Sequence, residues 1–70
     1  MNVEMASIKH LKGRTQEGYT ATATINDKSV HVVFNCINKN LIIHKWYKLT
    51  NAECDAVEAF ATRYFCSLAA

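Results

Sequence analysis

Seventy residues leave room for one hydrophobic core, and a folded chain of that length buries only about 60% of the surface its unfolded form exposes, so an enclosed substrate pocket of ordinary size is hard to build. Half of the residues are hydrophobic and a fifth are charged, which excludes a disordered composition, while a net charge of +2 falls short of the strongly basic balance of a dedicated nucleic-acid domain. No apolar run approaches the roughly 18 residues of a membrane span and MNVEMASIKH has no basic-then-apolar leader, so the chain reads as a soluble, cytoplasmic single domain over residues 1–70 with no membrane partner.

There is no repeat, no low-complexity stretch and no proline. Gly13, Gly18, the pair Asn26-Asp27 and the cluster Asn38-Lys39-Asn40 cut the first two thirds into four pieces of strand length, 3–11, 18–25, 29–36 and 41–48. The first, VEMASIKHL, alternates imperfectly and fits an edge strand or an ordered arm. The next two are clearer: YTATATI alternates strictly and SVHVVF is rich in β-branched residues. A turn at Asn26-Asp27 sets Ala23 opposite Val30, Ala21 opposite Val32 and Tyr19 opposite Phe34, all on one apolar face. The other face then pairs Thr22 with His31 and Thr20 with Val33. A turn at Asn38-Lys39 would pair Phe34 with Ile43, Val33 with His44 and His31 with Trp46. That register puts Lys45 on the apolar face, so it must sit at the margin, extend its ammonium to water or follow a bulge.

Thr50 followed three residues later by Glu53 is a capping box, and it opens a helix over about 51–68. Val57, Phe60, Ala61, Tyr64, Phe65 and Leu68 form an apolar stripe at spacings of three and four, with Asn51, Asp55, Glu58 and Thr62 opposite. Small Ala21 and Ala23 allow Phe60 and Phe65 to approach the sheet, and Phe60→Ala is expected to cost about 3–5 kcal/mol. The pattern predicts an α+β fold: a small antiparallel meander of three to four strands over about 3–48, with one C-terminal helix packed on one face.

One helix leaves the second sheet face uncovered. The pattern places Thr20, Thr22, Thr24, His31, Val33, Ile42, His44 and Trp46 there, an aromatic anchor among adaptable polar neighbours, as a recognition surface requires. The plainer alternative is a wet sheet face with Trp46 folded over Val33 or an edge.

Chemistry is poorly served. Cys36, Cys54 and Cys66 are odd in number with no CxxC spacing, and they read as buried free thiols rather than a disulfide framework or a zinc knuckle. Only Cys36 and His44 could form a nucleophile and base pair, and no carboxylate lies near to orient the base. A zinc site from His31, His44 and Cys36 lacks obvious further ligands, and two glycines five residues apart make no phosphate loop. No catalytic residue, metal or cofactor is expected, and the chain reads as a non-enzyme.

Charge is divided unevenly. Residues 1–50 hold seven Lys or Arg against three acids, and 51–70 hold one against three. Lys9, Lys12 and Arg14 cluster in KHLKGRTQEG, and with Trp46 as a stacking platform they support a runner-up reading as a weak nucleic-acid binder, against the alternative of a solvated loop. Ala52, Ala59 and Cys66 recur every seven residues and permit a homodimer through close helix approach. The leading expectation is a small accessory or inhibitory protein that occupies the surface of a larger protein or complex, a profile it shares by size alone with small phage- or plasmid-type regulators.

Overall fold

The strict alternation of YTATATI builds the centre of the molecule. In the computed structural model, which describes residues 2–14 and 17–69, β2 (Glu17–Ile25) lies between β1 (Val3–Lys12) and β3 (Lys28–Asn35), and β4 (Asn40–Ile43) follows β3. The tip of KHLKGRTQEG at Thr15 and Gln16, and the chain ends Met1 and Ala70, lie outside the described residues. All three pairings are antiparallel, so the order β1-β2-β3-β4 is a plain meander. A single helix, α1 (Asn51–Ala69), packs across one face of this open sheet.

The β2–β3 hairpin has the expected register, with Ala23 opposite Val30, Ala21 opposite Val32 and Tyr19 opposite Phe34. Asn26 and Asp27 both take left-handed backbone angles, φ 50° and 64°, the two-residue turn whose twist matches that of the strands. Ala21, Ala23, Ile25, Val30, Val32 and Phe34 are buried under the helix.

The uneven alternation of β1 has a physical cause. Ala6 pairs with Thr22 and Lys9 with Thr20, so Ser7 and Ile8 together oppose one residue, and Ser7 takes φ 53° to make this bulge. Before the bulge Val3 and Met5 face the helix; after it the parity changes and His10 does, opposite Tyr19. β1 is therefore an edge strand.

β4 departs from the expected register. Val32 pairs with Ile43, Val33 with Ile42 and Phe34 with Leu41, two residues away from the predicted Phe34–Ile43 and Val33–His44 pairs. The side chain of Asn35 is the reason: its Oδ1 accepts the Ile37 and Asn38 N–H groups at 2.8 and 3.4 Å, and Asn38 Oδ1 accepts the Asn40 N–H at 3.0 Å. These side-chain turns, with Lys39 at φ 59°, build a four-residue loop where a two-residue one was expected. A shift of two preserves the faces.

The strand also stops early, at Ile43 instead of 48. Lys45 turns left-handed at φ 57°, and Trp46–Lys48 form one turn of 3-10 helix. Lys45 thus lies in a turn beyond the sheet, and its charge never meets the core.

The capping box forms as read: the Thr50 N–H donates to Glu53 Oε1 at 2.8 Å and the Glu53 N–H to Thr50 Oγ1 at 3.2 Å. Glu53 also reaches the hairpin. Lys28 Nζ donates to its Oε1 at 2.7 Å and Asn26 Nδ2 to its Oε2 at 2.8 Å, so a carboxylate only 4% exposed is fully engaged. This joint sets the rotation of α1. The row Glu53, Val57, Ala61, Phe65 faces the sheet, and Phe65 stacks between Tyr19 and Phe34 with ring centres 5.5 Å from each. Phe60, expected as a core anchor, is 38% exposed and stacks on Tyr64, and Leu68 is also exposed.

Candidate functional site

With α1 on one side, the register fixes what the second side displays. Thr20, Thr22 and Thr24 of β2 lie opposite Val33, His31 and Ser29 of β3, and Ile42 of β4 lies beside Val33. The bulge in β1 adds Lys9, opposite Thr20, and Leu11, opposite Gly18. His44 continues the line of β4, its N–H donating to the His31 carbonyl at 2.8 Å. Seven of the eight residues expected on this face are thus brought together: Thr20, Thr22, Thr24, His31, Val33, Ile42 and His44.

The eighth, Trp46, has left the sheet. The predicted His31–Trp46 pair is replaced by His31 and His44, whose ring centres are 5.7 Å apart. Trp46 sits in the 3-10 turn, 64% exposed, with Tyr47 edge-on at 6.3 Å. Tyr47 is exposed to the same degree.

The face has a polar end and an apolar end. Thr24 and Ser29 share a hydrogen bond at 3.1 Å at one end, beside the His31 and His44 rings. At the other, Leu11, Glu17, Gly18, Val33, Phe34 and Asn35 line a shallow hollow of about 80 Å³, and Ile42, 57% exposed, lies beside Val33. Gly18 is required there. A β-carbon at this position would lie 2.2 Å from the Phe34 carbonyl oxygen, so the close approach of β2 and β3 both demands glycine and leaves the hollow unfilled. Leu11 and this glycine notch were not singled out from sequence; the bulge hid Leu11, and a glycine in a strand signals close approach without saying on which face.

The catalytic and metal arrangements that use Cys36 do not assemble. Cys36 lies in the β3–β4 loop, its N–H donating to the Glu17 carbonyl at 2.8 Å, and the whole of β4 separates it from His44. Burial above all, then the charges of Glu17 and Cys66, raises the Cys36 thiol above its ordinary pKa, which keeps it protonated and weakly nucleophilic. All three cysteines are free and partly exposed, where burial was expected. Among the described residues no group of three metal-ligating side chains converges.

The basic cluster is divided by the strand itself. Lys9 pairs with Thr20 and Lys12 with Glu17, positions three apart on β2, so the two lysines fall on opposite faces. Arg14 follows the strand end and is exposed. Glu17 instead meets His10, whose Nε2 lies 3.3 Å from its Oε1, while the His10 ring stacks on Tyr19 at 4.7 Å.

No described helix is long and apolar enough to cross a membrane. Compared with protein-family models, with curated proteins and with solved structures, the chain matches none.

Proposed function

We propose that the chain is a non-enzymatic protein-binding module that docks its open sheet face on a larger partner, as an accessory or inhibitory protein. The observation that carries this reading is the arrangement of that face: Leu11, Gly18 and Val33 line an unfilled hollow with Ile42 beside Val33, and threonines and two histidines continue the same face away from it, on the side that α1 leaves bare. Apolar anchors ringed by adaptable hydrogen-bonding groups are the make-up of an interface centre and rim. The hollow suits one aliphatic or aromatic side chain of the partner. Trp46 and Tyr47, exposed at the end of β4, supply a second contact.

The runner-up, a nucleic-acid contact, retains Lys9 on the open face but loses Lys12 to the other side. The two separate in one experiment. Parent, Ile42→Asp and Lys9→Ala chains serve as paired baits in a nuclease-treated lysate. A protein recovered by the parent and lost by at least tenfold with Ile42→Asp supports the module. Recovery that is equal for Ile42→Asp, or that disappears with nuclease alone, overturns it.

A further inference from the structure

At the polar end of the open face, away from the hollow on which the docking proposal centres, two histidines form a second arrangement. His44, the first residue past β4, extends the β3–β4 register by one position and so faces His31 of β3, held by the 2.8 Å hydrogen bond between His44 N–H and the His31 carbonyl. Opposed residues of an antiparallel pair carry their β-carbons about 4.5–5.5 Å apart, so both imidazoles rise from the sheet side by side. Their ring centres are 5.7 Å apart with the planes tilted by 41°, and both side chains are exposed. No hydrogen bond to another described side chain fixes either ring.

We propose that His31 and His44 form a two-imidazole site for a divalent late transition-metal ion, of the zinc, nickel or copper class. A cation about 2.0–2.1 Å from one nitrogen of each ring holds the two ring centres roughly 5–6 Å apart, and that is the spacing found. Imidazole nitrogen selects these ions, whereas magnesium and calcium require oxygen donors. The open-face strand positions offer one carboxylate, Glu4, on β1 two strands away from His31, so it completes no oxygen-rich cage. With two protein ligands the remaining coordination positions belong to water, and the ion exchanges instead of being locked in as at a four-ligand structural site. Rigid backbone pairing offsets this in part, because the two donors are already opposed before the ion arrives.

His10 is the internal control. It lies on the helix side of β1, stacked on Tyr19 and next to Glu17, with no second imidazole opposite it.

The test is a zinc titration of the full chain followed through the imidazole proton resonances, with nickel titrated calorimetrically, on the parent and on His31→Ala, His44→Ala and His10→Ala. Circular dichroism reports that each variant is folded. The site predicts one ion per chain, saturating shifts of the His31 and His44 signals together, and affinity at least tenfold lower in either single variant. It also predicts parent-like affinity for His10→Ala, no response to magnesium, and weakening as pH falls and protons compete for the nitrogens. The imidazole readout distinguishes this site from zinc held by the thiols. Equal affinity in the parent and both open-face variants, or zinc shifts confined to His10, would overturn the assignment. The titration uses the isolated chain, so its result is independent of whether the protein partner exists.

Discussion

The two faces of the sheet are made of the same strands and obey opposite rules. On the covered face Ala21, Ala23, Val30, Val32 and Phe34 close on Val57, Ala61 and Phe65, and almost nothing is left accessible. On the open face threonines and histidines alternate with those same residues, and among its apolar members Val33 is partly buried while Leu11 and Ile42 are about half exposed. Stability therefore resides on one side and spare chemistry on the other. Substitutions should separate into two groups according to the parity of their position.

The sharpest way to break this comparison is in the aromatic stack. Phe65→Ala is expected to cost about 3–5 kcal/mol, because the ring between Tyr19 and Phe34 cannot be replaced by collapse of rigid strands. Phe60→Ala, on the exposed flank, should cost about 1 kcal/mol. Urea unfolding of the pair measures both, and equal midpoints would mean that the helix is rotated relative to the arrangement described. Gly18→Ala comes next, at about 1–3 kcal/mol, since the added carbon meets the Phe34 carbonyl oxygen and β2 must shift away from β3. It is the one open-face substitution expected to act like a core substitution.

Glu53 sharpens the comparison through pH. The Lys28 ammonium first, then the Thr50 N–H and the Asn26 amide, lower its carboxyl from an ordinary 4.5 to about 2, against the opposing effect of burial. A carboxyl that ionises more readily in the folded chain contributes stability in full above about 4.5 and loses it as pH falls toward 2. Glu53→Gln should lower the urea midpoint at pH 7, and the gap to the parent should narrow steadily below pH 4.5. A gap that stays constant down to pH 2 would show that the ionised carboxylate is not what joins hairpin to helix. The smallest effects belong to the open face: Thr22→Ala and Ile42→Ser should each move stability by about 0.5 kcal/mol or less. Their consequence is expected in binding alone.

Most of the architecture was legible because the signals were local and periodic. Strict alternation in YTATATI, the Asn26-Asp27 turn and the Thr50/Glu53 box each specify structure within a few residues. The faces survived the wrong β3–β4 register because strand parity repeats every two residues and the loop was longer by two. Three things were not legible, each for its own reason. Trp46 left the sheet because Lys45 is left-handed, a conformation that lysine does not advertise. Phe65 displaced Phe60 because a charged residue, Glu53, anchors the buried row, and hydrophobic patterning cannot see that. Leu11 joined the site because a bulge changed the phase of β1.

That bulge has a further consequence for how the molecule behaves in company. Without Ser7 the first strand reads VEMAIKHLK, which can pair residue for residue along β2 with no bulge and every remaining partner unchanged. Ser7 is thus a surplus residue in the fold, and what it supplies is a kink in the longest unpaired edge of the sheet. A straight edge of that length is a template for another chain's backbone, and a kinked one is a poor template. A chain shortened by this one residue should keep its core and its open face, yet form larger assemblies in light scattering at concentrations where the parent stays dispersed.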